Sequence, residues 1–264
     1  MTIVVARHNG IVYAKATVKL FTFRLNVFTY LADGVLVDTG PGRFSREYLD
    51  FFKSRTISRA VITHHHEDHS GNAKLLTDIG IPVYAHESAH DLLQRRALLP
   101  FYRYLFWGKR QGFRAIALAG QFSENNCDWE AVAAPGHASD HVVLLNRNRG
   151  AVFTGDLVVT PRPKGIFRFE SIPKIIASLK TLNGLDYQDL YCAHAGPVKN
   201  GREMVNRKID YLENLMGKII ELSDRGWPSR AIANKLFPNK QLLTYFSIRE
   251  WDSEHLVRSV LENR

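Results

Sequence analysis

The sequence predicts an α/β protein: an αββα sandwich, two facing sheets with helices outside, followed by a C-terminal helical extension. Two observations carry this. Apolar, β-rich runs that end in polar motifs recur through residues 1–200 and alternate with helical stretches. After residue 200 the periodicity is helical only, so residues 1–200 are expected to form the main domain and 201–264 an appendage. At 264 residues the chain can bury a sizeable core.

Composition narrows the class. With 45% apolar and 23% charged residues the chain reads as a soluble globular protein. No charged leader followed by an apolar core is evident, nor a long uncharged span, so no signal peptide or membrane crossing is expected and the cytoplasm is favoured. Cys127 and Cys192 cannot form a disulfide framework, and neither has a CxxC partner. The formal charge of +9 raises nucleic acid as a partner, because lysine and arginine neutralise phosphates. It does not say whether those charges share a face.

The opening runs, 2–6, 11–16, 26–31 and 34–38, are β-rich, and Asn9-Gly10 and Asp33-Gly34 are hairpin turns. They predict a mostly antiparallel sheet. Residues 43–52 follow as a helix with Phe44, Tyr48, Leu49 and Phe52 inward. A strand at 59–62 delivers the run THHHEDHSGN, Thr63 to Asn72. In extended backbone alternate side chains share a side, so His64 and His66 can converge on one ion. Asp68 and His69 come as the chain turns and can face a neighbouring ion. Imidazole and carboxylate together suit zinc, iron or manganese. Ser70 or Asn72 is expected to cap the next helix, which Gly80 stops before a strand at 81–84.

A helix is predicted over 86–99, interrupted by Pro100. His86 and His90 share its face but form no HExxH motif, which leaves them structural or on the surface. Phe101, Tyr102, Tyr104, Phe106 and Trp107 then mix with Arg103, Lys109 and Arg110. Four readings are open: core with solvated arginines, a substrate lid, a partner surface, or a surface against lipid headgroups. The lid reading expects residues 100–112 at the substrate entrance, with contacts from Phe101, Arg103, Tyr104, Trp107 and Arg110.

A strand at 128–134 presents Pro135-Gly136-His137, and His141, before the apolar run 142–145, is expected either to touch substrate or to pack behind the site. After a turn at Asn148-Arg149-Gly150, the strand at 151–154 leads to Gly155 and Asp156. A carboxylate there can bridge two cations, and Gly155 allows close approach. Arg162 and Lys164, in a proline-stiffened loop, could neutralise an anionic substrate group. Helices are predicted over 171–182, capped by Ser171, and over 202–222, 231–237 (capped by Ser229) and 252–261. A strand at 189–192 ends at His194.

The spacing His64-x-His66-x-Asp68-His69 resembles the signature of the metallo-β-lactamase superfamily. Val35 to Gly40, Pro135-Gly136-His137, Phe153 to Asp156 and Ala193 to Pro197 resemble its other motifs, in the family's order, over roughly residues 20–200. The resemblance implies the αββα metallo-β-lactamase sandwich and two divalent metal ions, zinc first, with iron or manganese as alternatives. It implies His64, His66 and His137 on one ion, Asp68, His69 and His194 on the other, and Asp156 between them. Asp68 and Asp156 would be the catalytic carboxylates, and Asp38 would brace the metal loop. His141 and the helical tail, winged-helix-like in some relatives, resemble the glyoxalase II-like branch, although Ala138-Ser139-Asp140 departs from that branch's threonine and glycine pattern. The implied activity is cleavage of a small ester, thioester or lactone by metal-held water. A phosphodiesterase or nuclease, a mononuclear-iron oxygenase and a non-catalytic metal protein are the alternatives.

Overall fold

Two short turns set the first sheet. Asn9 and Gly10 have φ of 45° and 80°, and Asp33 and Gly34 have 48° and 81°; both residues of each pair adopt the left-handed conformation that closes a tight hairpin. In this computed structural model, which describes residues 2–262, they join β1 (Ile3–His8) to β2 (Ile11–Leu20) and β3 (Phe23–Ala32) to β4 (Val35–Val37). Strands β2 and β3 run longer than expected, because their connection turns at Phe21, φ 52°, where no glycine or proline marks it. Parallel pairing then adds β5 (Arg59–Val61), β6 (Val83–Ala85) and β7 (Ile116–Ala117), giving a seven-stranded sheet in sequence order.

Chain contacts divide the molecule into two units. The first comprises Met1–Ala133, Asp140–Val159 and Asp186–Lys199. Its second sheet holds β8 (Gln121–Glu124), β9 (Cys127–Ala133), β10 (Val142–Asn146) and β11 (Ala151–Phe153). With β12 (Ile166–Phe167) assigned to the other unit, this sheet is completed by β13 (Asp189–Cys192) and β14 (Gly196–Val198), in the order β14-β13-β11-β10-β9-β8. Alternate residues of the two sheets meet in one apolar core, Phe28, Tyr30 and Val61 from the first with Trp129, Phe153 and Tyr191 from the second. Tyr30 has its ring 5.5 Å from that of Phe153, and its hydroxyl donates to the Cys192 carbonyl at 2.6 Å. A buried tyrosine needs that acceptor. Cys192 is itself fully buried, a small core residue.

The helices of the first unit are short. In α1 (Ser45–Lys53) the inward face is Tyr48, Phe51 and Phe52; Leu49, expected inside, is only half-buried. One turn, α2 (Glu67–Ser70), lies inside the histidine run and precedes α3 (Ala73–Asp78). The helix expected over 86–99 shrinks to a 3-10 turn, Glu87–Ala89, and α4 (His90–Gln94). Its early end has a distant cause. The Arg110 guanidinium takes the carbonyls of Leu92, Leu93 and Arg95 at 2.9–3.2 Å, satisfying the groups that a further turn would have used. After Pro100, α5 (Phe101–Trp107) follows.

The second unit comprises Ala134–Ser139, Thr160–Leu185 and Asn200–Arg264. It contains α6 (Ile172–Asn183), α7 (Gly201–Asp224), α8 (Ser229–Leu236), α9 (Leu242–Phe246) and α10 (Ser253–Leu261), and the pair of β12 with β15 (Trp251–Asp252). Three- and four-residue spacing buries Ile209, Leu212, Leu215 and Ile219 along α7. Two expected caps differ. Ser171 stands at the start of α6 without a side-chain cap bond, and Ser229 is the first residue of α8, behind Pro228. Asp252 does cap α10, accepting from the Glu254 amide at 3.1 Å. The architecture is the αββα class with a C-terminal helical segment.

Candidate metal centre

The site begins with Asp38, which follows β4 and holds φ of 61°. Aspartate tolerates this left-handed conformation better than most residues. Its Oδ1 accepts from the Thr63 amide at 2.8 Å and the Thr63 hydroxyl at 3.0 Å. Oδ2 lies 2.8 Å from His69 Nδ1, so the ring proton sits there and Nε2 faces the other way. Asn72 does not cap α3 with its side chain as expected. Its amide instead donates to the carbonyls of Thr39, Gly40 and Pro41 at 2.9–3.1 Å, fastening the loop after β4 to the histidine run.

His64 and His66 come off the end of β5 with His64 Nε2 3.0 Å from His66 Nδ1. The single turn of α2 then swings Asp68 and His69 inward. His69 Nε2 lies 3.3 Å from Asp156 Oδ1 and 3.7 Å from Asp68 Oδ2. From the end of β13, His194 brings Nε2 to 3.3 Å from Asp68 Oδ2 and 3.2 Å from Asp156 Oδ2. Its Nδ1 donates to the Asn26 carbonyl at 2.6 Å, which fixes the ring. Within the first unit two overlapping ligand sets result, His64 with His69 and Asp156, and Asp68 with His69 and His194. Within each, the donor atoms lie within 4.8 Å of one another.

These residues fit divalent cations. His69 Nε2 is buried and makes no hydrogen bond, while Nδ1 is anchored. Two buried carboxylates converge on the same space, which a cation would neutralise. Burial pushes the Asp156 carboxyl up, but His194 and His69 outweigh it and hold it well below the ordinary range. Asp68 is lowered against burial by the same two rings. Burial depresses both imidazoles, yet Asp156 above all holds His69 and His194 well above the usual value. A metal ion would take over this attraction between the carboxylates and the rings.

Two supporting side-chain pairings were missed by the sequence reading. Asp140 accepts from the His65 amide at 2.7 Å and pairs with its ring at 2.8 Å, pinning the metal loop from 75 residues away. Glu67, between two ligands, is buried and held bidentately by Arg103 at 2.6 and 2.7 Å. Burial raises its carboxyl, with Arg103 opposing. Neither residue has a sequence neighbour that reveals the other.

The expected substrate residues scatter. His141 is buried, and its Nε2 accepts from the Asp156 amide at 3.1 Å, so it braces the carboxylate from behind. A Cβ on Gly155, φ 47°, would stand 2.6 Å from that nitrogen, which is why glycine is needed. Arg103 is committed to Glu67 and Arg110 to backbone carbonyls, so neither guanidinium is presented to a substrate as expected. Trp107 does reach the site, with its ring 6.2 Å from that of His194. Phe101 and Tyr104 are exposed. A cavity of about 450 Å³ lined by Arg43, Lys74, Tyr104, Leu105 and Lys109 lies along another face of α5 and includes none of the metal-site residues. In the second unit, His137 Nδ1 is 3.2 Å from Glu170 Oε2, and Arg162 and Lys164 are exposed.

Comparison with known proteins agrees with this geometry. The sequence pattern of the metallo-beta-lactamase superfamily matches residues 24–194. An atrochrysone carboxyl ACP thioesterase of Aspergillus fumigatus is 28% identical over 68% of the chain, which spans only 52% of that protein. A probable metallo-hydrolase of Bacillus subtilis is 24% identical, with 81% of each covered. Among solved structures, a metallo-beta-lactamase family protein from Thermus thermophilus superposes with a TM-score of 0.70 at 18% identity, covering 96% of this chain and 92% of that one. With the pattern matched across most of its length and the family's histidines and aspartates brought within metal-binding reach of one another, this chain belongs to the metallo-β-lactamase superfamily.

Proposed function

We propose that the chain is a dinuclear metallohydrolase that cleaves a small thioester or ester with water. The observation that carries this is the convergence of Asp68, His69, Asp156 and His194, with donor atoms 3.2–3.7 Å apart in a buried setting. Asp68, His69 and His194 would hold one ion, with His64, His66 and Asp156 as donors for a second. Bound there, divalent cations polarise a carbonyl oxygen and lower the pKa of water; zinc suits the mixed nitrogen and oxygen donors, with iron or manganese as alternatives.

The chain's own residues complete the chemistry. Asp68 is placed to accept the proton released by water and hand it to the departing thiol or alcohol. Asp38 and the Asn26 carbonyl keep the Nε2 atoms of His69 and His194 turned inward. Trp107 gives the His194 side an apolar wall. The thioester preference is supported by the similarity to the fungal thioesterase.

The test is a panel of short- and long-chain acyl thioesters, simple esters, lactones, single-stranded RNA and single-stranded DNA, with zinc-loaded protein and Asp156→Ala. Turnover of thioesters or esters that the substitution abolishes is expected. Cleavage of RNA or DNA faster than every small substrate, lost in the variant, would replace this reading with a nuclease.

A further inference from the structure

The segment between α4 and β7 breaks two ordinary rules of a protein surface. From Leu92 to Ser123 the sequence has no aspartate or glutamate, yet it carries Arg95, Arg96, Arg103, Lys109, Arg110 and Arg114. Arg103 and Arg110 are consumed internally, as described above. The other four are exposed, and among the described residues none of them has an acidic partner. Apolar side chains in the same segment face solvent: Leu98 is 96% exposed and Phe101 75%. Large exposed apolar groups beside unpaired cations mark an interaction surface.

Backbone pairing gives this segment its shape. Phe113 N donates to Leu93 O at 2.9 Å and Ala97 N to Arg110 O at 3.1 Å, so 93–97 and 110–113 run together as a stem. Residues 98–109 form the excursion between them. Tyr102, Phe106 and Trp107 turn inward and hold it, while Leu98 and Phe101 on its first limb stay exposed. Arg95, Arg96, Lys109 and Arg114 sit in or beside the stem.

We propose that this excursion docks the protein on an anionic lipid bilayer, with Leu98 and Phe101 entering the acyl boundary and Arg95, Arg96, Lys109 and Arg114 on headgroup phosphates. Exposed apolar side chains among unpaired cations match an anionic bilayer surface, which takes apolar groups into its acyl boundary and cations onto its phosphates. A flat acidic protein surface would complement the cations and leave Leu98 and Phe101 unburied. Among the described residues no helix is long and apolar enough to cross a membrane, so the contact is interfacial. Docking there would bring amphiphilic acyl substrates to the metal centre, because α5 also carries Trp107 beside His194.

The test is co-sedimentation of the full chain with vesicles of phosphatidylcholine alone or mixed with phosphatidylglycerol, at low and moderate salt. Binding to the mixed vesicles only, weakened by salt, is expected. Leu98→Ser with Phe101→Ser should lower the affinity at least roughly tenfold through lost apolar burial. Arg95→Gln and Arg96→Gln should each lower it roughly fivefold. All four side chains are exposed, so the variants should keep the parent's thermal midpoint, which separates lost docking from lost folding. No binding to mixed vesicles, or binding unchanged in folded variants, would overturn the proposal. Capture of soluble polyglutamate without vesicle binding would also overturn it, assigning the surface to an acidic protein. Because the assay reads binding and not turnover, it fails or succeeds independently of the hydrolase reading.

Discussion

The metal loop and the excursion that follows it are opposites built from similar raw material. Both are rich in charged and aromatic or imidazole side chains. In the loop, His64, His66, Glu67, Asp68 and His69 are all buried, and their partners lie on α5 and just after β4, β11 and β13. In the excursion, Leu98 and Phe101 are exposed while the cations beside them stand unpaired. Buried charge is tolerable only when each group is matched, whereas exposed apolar surface costs folding stability little and makes a contact available. The Arg103–Glu67 pair links the two regions. The loop is therefore expected to be sensitive to every substitution, and Leu98 and Phe101 to almost none as far as folding and chemistry go.

The largest effect expected is on Asp156. Its replacement by alanine removes a carboxylate shared by both imidazoles, His69 and His194, and should lower turnover by roughly a thousandfold or more. Elemental analysis of the variant should show reduced metal content. A fully loaded, equally active variant would remove the loop's claim to be the chemical half of the comparison.

Arg103 tests the link between the halves. Arg103→Ala strands a buried carboxylate on Glu67 and should cost about 3–5 kcal/mol of stability, read by denaturant unfolding. A loss near zero would mean that the excursion is not fastened to the metal loop through this pair.

Asp38 gives a smaller, more selective effect. Asp38→Asn keeps the size but loses the charge that orients His69 Nδ1, and metal affinity should fall roughly ten- to a hundredfold. A metal titration followed by calorimetry measures this directly. Unchanged affinity would show that the loop's backbone alone, held by Asn72 and Asp140, positions the ring.

The smallest effect belongs to Leu98 and Phe101. Leu98→Ser and Phe101→Ser should change folding stability by about 0.5 kcal/mol or less, since neither side chain is packed. A large loss in chemical denaturation would erase the contrast between the two regions.

Local patterning settled a good deal. The hairpin turns were legible from Asn9-Gly10 and Asp33-Gly34, since two successive left-handed residues are what those pairs permit. The clustered ligands were legible because His64, His66, Asp68 and His69 are near neighbours and a strand followed by one helical turn brings them together. Periodicity likewise located α7 within two residues at each end. What the chain could not disclose by itself are partnerships across sequence distance. Arg110 ends α4 by taking carbonyls 15–18 residues away, Arg103 neutralises a glutamate 36 residues away, and Asp140 clamps a histidine 75 residues away. Each of these arginines read as a group available to a ligand, because a charged side chain without a local partner looks free. Only the tertiary structure decided which were spent on buried carboxylates and carbonyls and which, like Arg95 and Arg96, were left facing solvent. The reason is physical: the hydrophobic pattern that makes a strand or helix is local, but the pairing of a buried charge depends on whichever residue the fold delivers to it.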